Sequence, residues 1–194
     1  MKLINKINKH EMARRFAIGE VHSEFFYSKD ESIKQETIKL LTSGNHELEC
    51  RGIQKHTFRR RYIVDLPNDT QWHIAQLRLS EEEFARLRTV KITGWEEYTN
   101  GSFKLIDAAN YLDANPNRDP RVAAVISACE KGKLCMYGIT LLGKTLTSPL
   151  TIVEGTARLV AIYLKCVQNK SSPLCTEKIE VVIGLSDSTW CFSP

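Results

Sequence analysis

The segment "SPLTIVEGTARLVAIYL", Ser148 to Leu164, constrains the fold more than any other. An apolar, β-branched run of strand length ends at Glu154–Gly155 and passes directly into an apolar run of helical length. Both flanks read as buried, which makes two charges four residues apart at their junction, Glu154 and Arg158, the features to explain. Gly155 permits a tight turn and close approach of the backbone. The first turn of the following helix exposes N–H donors at the positive end of its dipole, the usual makings of an anion site. Arg158, one turn in, is placed to clamp a phosphate, and Glu154 to hold a metal ion or act as a general base. The plainer alternative is that Glu154 caps the helix and Arg158 pairs with it.

Around this junction the chain alternates helical and β-branched segments. "DESIKQETIKLL" reads as an amphipathic helix with an acidic start and a glycine stop. "RRYIVDL" and "WHIAQLRL" flank "PNDTQ" and suggest a β-hairpin. Ser80 before three glutamates marks a helix start, and Asp119–Pro120 marks another before "RVAAVISACEKGK". The stretch Ile92 to Pro120 is turn-rich and irregular apart from "LIDAANYL". "LCMYGITLLG", "LTIVEG" and "KIEVVIGL" read as strands. The expectation is a mixed α/β (α+β) domain over residues 51–194, a small mixed sheet with flanking helices, preceded by a helical extension over residues 1–50.

The order helix, strand, strand–turn–helix, strand, together with the E-G-x-x-R turn, resembles the ParB/sulfiredoxin-like superfamily. Its mark is a strand–turn–helix reading D/E-G-x-x-R. The likeness spans Ile53 to Trp190 as an order of elements, and about fifteen residues at the level of the motif. It implies a nucleotide-binding fold in which Gly155, Thr156, Ala157 and Arg158 receive the phosphates of ATP, ADP or CTP. The resemblance does not select one activity; with Glu154 as the catalytic base or a ligand of Mg²⁺, the expected activity is phosphate hydrolysis or transfer from a nucleotide. Cleavage of an N-glycosidic bond would use the same carboxylate. The superfamily commonly carries histidine and threonine where this chain has Thr156 and Ala157, which removes one polar side chain from the motif. The superfamily's reactive cysteine also has no counterpart in this turn. Trp190, after the last strand, is placed to stack on a nucleobase, or else to close the edge of the core.

Charge suggests a second reading. Residues 1–61 carry 13 Lys and Arg against 8 Asp and Glu, whereas the rest carries 14 against 15, so the whole surplus of +4 lies in the first third. Residues 51–61, ending in Arg59, Arg60 and Arg61, are therefore a potential contact for nucleic acid, as in a ParB-like binder or nuclease. A non-catalytic nucleotide-sensing module is the third reading. An apolar content of 42% without a spanning run, and six cysteines with no C-x-x-C spacing, lead us to expect a cytoplasmic protein outside the membrane whose thiols are buried small hydrophobes. No cysteine–histidine spacing reads as a zinc site. His73, Glu96 and Glu97 are minor candidates as ligand or base.

Overall fold

A computed structural model of the chain describes residues 1–22, 30–55 and 65–194. Its centre is a six-stranded mixed sheet: β1 (Lys2–Ile7), β2 (Gln71–Arg78), β3 (Leu87–Arg88), β4 (Thr140–Gly143), β5 (Leu150–Glu154) and β6 (Lys178–Leu185). The strands lie in the order β1-β2-β6-β4-β5-β3. The pairs β1–β2, β2–β6 and β4–β5 are antiparallel, and β6–β4 and β5–β3 are parallel. The described α-helices are α1 (Lys9–Val21), α2 (Glu31–Leu41), α3 (His46–Gln54), α4 (Glu81–Ala85), α5 (Thr93–Thr99), α6 (Leu105–Ala114), α7 (Pro120–Glu130) and α8 (Thr156–Ile162). A π-helical turn, Tyr163–Gln168, continues α8. The expected mixed sheet with flanking helices is therefore present. No described helix is long and apolar enough to cross a membrane.

Local chemistry accounts for most of these boundaries. Ser80 accepts a hydrogen bond from the Glu83 amide at the start of α4. Asp119 accepts from the amides of Arg121 and Val122 and starts α7, with Pro120 in the first turn. Three described segments depart from expectation, the first being "LCMYGITLLG", which is extended only over Thr140–Gly143. Residues 2–7 form a sheet-edge strand where a helical extension was expected, because the ladder of β2 satisfies their backbone groups. Most of the first arm of the expected hairpin, "RRYIVDL", lies outside the described residues. Both edges of β2 are already occupied, by β1 and β6. Finally, "TGWEEYT" in the turn-rich stretch is helical, and ends at Asn100 in the left-handed region.

The period-two alternation of the central strands divides the apolar residues between two faces. One face carries Leu141, Ile152, Val181 and Ile183 under Leu159, Ile162 and Leu164 of α8 and its continuation, and under Leu105 and Ala109 of α6. The other carries Leu142, Val153 and Val182 under Met12 and Phe16 of α1, together with Trp72 and Trp190. A third layer, α2 and α3, rests on α1 through Ala17, Ile18, Val21 and Leu41.

Between α1 and the sheet the chain passes through Gly138, whose φ is +78°. A Cβ there would stand 2.3 Å from the Arg15 carbonyl and 3.1 Å from the Cα of Gly19. Two backbones touch at this point with no side chain between them. Gly138→Ala is expected to destabilise the protein by at least about 2 kcal/mol, combining a left-handed alanine with a backbone overlap. Urea denaturation checks it, and an unchanged midpoint would contradict the close approach.

Glu11 of α1 accepts from both Arg14 (2.7 Å) and Arg15 (2.7 Å), and Arg15 continues to Glu180 on β6 at 2.6 Å. Partial burial raises the Glu11 pKa, but the hydrogen bonds and charges of the two arginines outweigh it and hold the carboxyl below its ordinary 4.5. A lowered folded pKa gives stability that is present above 4.5 and lost as the pH falls through the folded value. Acid titration of stability should therefore be steeper below pH 4.5 for the parent protein than for Glu11→Gln; equal slopes would show that the cluster contributes nothing.

Candidate functional site

The strand–turn–helix junction forms as the sequence suggests, with β5 ending at Glu154, Gly155 in the left-handed region (φ +98°), and α8 beginning at Thr156. Gly155 is required twice over. Its backbone conformation is rare for other residues, and a Cβ would stand 3.0 Å from the Ile139 side chain and 3.3 Å from Nη2 of Arg158.

That second contact shows where Arg158 goes. Its guanidinium folds back over Gly155 instead of reaching outward. Nη1 donates to the carbonyls of Cys135 (3.2 Å) and Tyr137 (2.5 Å), and Nη2 donates to Oε1 of Glu154 (3.2 Å). Glu154 is 5% exposed and Arg158 8% exposed. The cover is α1, since a Cβ on Gly19 would meet Nη2 of Arg158 at 3.1 Å and the Tyr137 carbonyl at 2.9 Å. At the end of α1, His22 is held below its ordinary pKa by partial desolvation and then by the positive charge of Arg158.

This geometry bears on each expected site residue. Arg158 and Glu154 come together, but as a buried ion pair that also serves two carbonyls. Gly155 is buried, while Thr156 and Ala157 are half-buried at the helix start. The seven residues of α8 give about two turns of aligned dipoles before the geometry widens to the π-helical turn. Trp190 does not reach an open surface. It is 1% exposed, packs in the cluster of Met12, Phe16, Trp72 and Val153, and meets Phe192 edge-on at 5.2 Å. An indole so enclosed offers no face to a nucleobase.

Mg²⁺ does not fit Glu154 as it stands. That ion keeps several waters and prefers open oxygen ligands, whereas this carboxylate is buried with a guanidinium 3.2 Å away. Glu97 is engaged with Arg118, and both side chains are half-exposed. His73 lies within β2, opposite Lys6 and Ile183. Of the basic stretch 51–61, residues 56–61 lie outside the described residues, and Lys55 pairs with Glu36 at 3.0 Å. Burial and neighbouring thiols push the Cys166 thiol upward, the reverse of a reactive cysteine.

One grouping escaped sequence reasoning. His10 from α1 meets His46 and Cys50 from α3, and their donor atoms all lie within 4.8 Å of one another. The only local signal was the i, i+4 spacing of His46 and Cys50, which puts both on one helical face. Nothing in the sequence brings His10 to that face from α1, with α2 between them in the chain.

Against protein-family models, curated proteins and solved structures, the chain has no match. The likeness to the ParB/sulfiredoxin-like superfamily therefore rests on the junction motif and the order of elements.

Removing one member of a buried, hydrogen-bonded ion pair leaves the other uncompensated, at a cost of about 3–5 kcal/mol. Arg158→Ala is expected to lose that much stability in chemical denaturation. Arg158→Lys, which keeps the charge but not the planar fork, should fall between the two. A loss below about 1 kcal/mol in Arg158→Ala would mean that the guanidinium does not carry this junction.

Proposed function

We propose that this chain is a non-catalytic interaction module with a ParB/sulfiredoxin-like core, in which the strand–turn–helix junction holds the N-terminal helices to the sheet instead of receiving a nucleotide. The observation that supports this reading is the commitment of Arg158 to Cys135, Tyr137 and Glu154 beneath α1. A guanidinium in such a setting has exchanged its solvent for fixed carbonyl and carboxylate oxygens. A phosphate would have to displace those contacts and lift α1, at Gly19, away from the Arg158 guanidinium before it could bind. Phosphoryl transfer works by positioning and charge neutralisation, and here both are directed inward, at the protein's own backbone.

The nucleotide enzyme remains as a second reading, favoured by a specific feature. Thr156 and Ala157 are still half-exposed beside the paired charges, so an outward movement of α1 would uncover donors, acid and arginine together. In that reading Glu154 is base or metal ligand, and ATP, ADP or CTP binds with Mg²⁺.

Calorimetric titration of the full chain with ATP, ADP, CTP and GTP in the presence of Mg²⁺, followed by mass spectrometry of the products, separates the two. The interaction-module reading expects no turnover and no saturable heat that depends on Arg158. Product formation that disappears in Glu154→Gln would overturn it in favour of the enzyme. A salt-dependent shift of a DNA or RNA probe would instead favour the nucleic-acid reading of residues 51–61.

A further inference from the structure

The geometry points to a zinc site on the N-terminal helices, built from His10, His46 and Cys50 and oriented by Glu49. This site shares no residue with the strand–turn–helix junction.

Distances support it first. Sγ of Cys50 lies 3.6 Å from Nε2 of His46 and 3.9 Å from Nδ1 of His10. A tetrahedral zinc ion, with bonds of about 2.3 Å to sulfur and about 2.0 Å to nitrogen, sets its sulfur and nitrogen ligands about 3.5 Å apart. The three atoms thus stand close to ligand spacing. Small rotations of the side chains bring them onto one centre.

The surrounding hydrogen bonds support it next. Nε2 of His10 faces Oε2 of Glu49 at 2.8 Å. A carboxylate on that nitrogen holds the proton there, which directs the Nδ1 lone pair toward Cys50. Metal-bound histidines characteristically have such an outer carboxylate. Glu49 is itself placed by its helix and lies 4.0 Å from Nε of Arg14. Two well-capped helix starts hold the ligands. Asn8 accepts from the Glu11 amide at 2.8 Å and sets the turn carrying His10. Asn45 accepts from the amides of Glu47 and Leu48 and sets His46 as the first residue of α3. The rings of His10 and His46 sit 4.3 Å apart between centroids at an angle of 47°, so the two imidazoles already converge.

The donor set selects the metal. One thiolate and two imidazoles suit zinc and other borderline or soft ions, and are a poor match for Mg²⁺ or Ca²⁺. His46 is exposed, so the fourth position opens to solvent and would be filled by water. Binding converts the Cys50 thiol to a thiolate and releases its proton to solvent, while both imidazoles coordinate in neutral form. Because the ligands come from α1 and α3, the ion would staple these helices across the third layer. The rival description is a histidine–carboxylate pair with a neighbouring thiol that binds nothing.

The full chain, stripped by a chelator and kept reduced, is titrated with Zn²⁺ against a chromophoric competitor and separately with Co²⁺. Expected are one zinc per chain, a rise in the thermal midpoint with zinc, and intense tetrahedral Co²⁺ bands with a thiolate charge-transfer band. Cys50→Ser should abolish the charge-transfer band. His46→Ala, at an exposed helix start, should weaken zinc at least tenfold while the circular dichroism of the metal-free protein is unchanged. Glu49→Gln should weaken zinc by about 10- to 100-fold and retain the thiolate band. No stoichiometric zinc uptake, or uptake that survives both Cys50→Ser and His46→Ala, would overturn the site. Failure here leaves the interaction-module reading of the junction intact, since that reading is judged by nucleotides alone.

Discussion

Arg158 reaches back across Gly155 to two carbonyls and a carboxylate, and the packing of α1 on the sheet depends on that reach. The carbonyls belong to Cys135 and Tyr137, the approach to β4, and the carboxylate to the end of β5. Gly138 lets the α1 backbone come within van der Waals distance of this cluster, and Gly19 lets α1 lie directly over the guanidinium. Burying a positive charge is tolerable only when its donors are answered by fixed acceptors. Here the acceptors are two backbone carbonyls and the Glu154 carboxylate, and α1 lies over them at Gly19, which ties the position of α1 to β4 and β5.

The same tie explains how a helix with few large buried side chains stays on the sheet. Met12 and Phe16 supply the apolar contact. Arg15 adds an ionic contact to Glu180 and lies 5.0 Å from the centre of the Tyr137 ring. Polar side chains of α1 therefore do work that a more apolar helix would do by area alone. With α1 so placed, α2 and α3 have a surface to rest on, and His10 comes opposite the face of α3 that bears His46 and Cys50. The proposed metal site thus sits where α3 rests on α1, the helix that also covers the Arg158 junction.

A single pair of charges at a strand–turn–helix junction admits two arrangements. Turned outward, the arginine and the helix start form an anion site; turned inward, the arginine becomes a bracket for the backbone. Spacing is identical in both. What separates them is the presence of carbonyls within reach and of a helix above, and these come from residues 19, 135 and 137, remote in the chain. The burial of Trp190 has a similar origin, because the cluster enclosing it draws on α1, β2, β4, β5 and β6.

Much of the architecture was legible one element at a time. The β-branched run before Gly155, the caps at Ser80 and Asp119, and the apolar periods of α6 and α7 state their conformation locally, since neighbouring residues supply the hydrogen bonds and steric limits involved. The edge strand Lys2–Ile7 was not, because a polar strand is made by the ladder beside it. Helix α5 was also missed, with no side-chain cap to announce it. The sequence alone determined that a strand would meet a helix at Gly155 with an acid and an arginine beside the turn. Only the tertiary structure decided that the arginine faces inward and that His10 meets Cys50 from forty positions away, because both depend on contacts that close only when α1 packs.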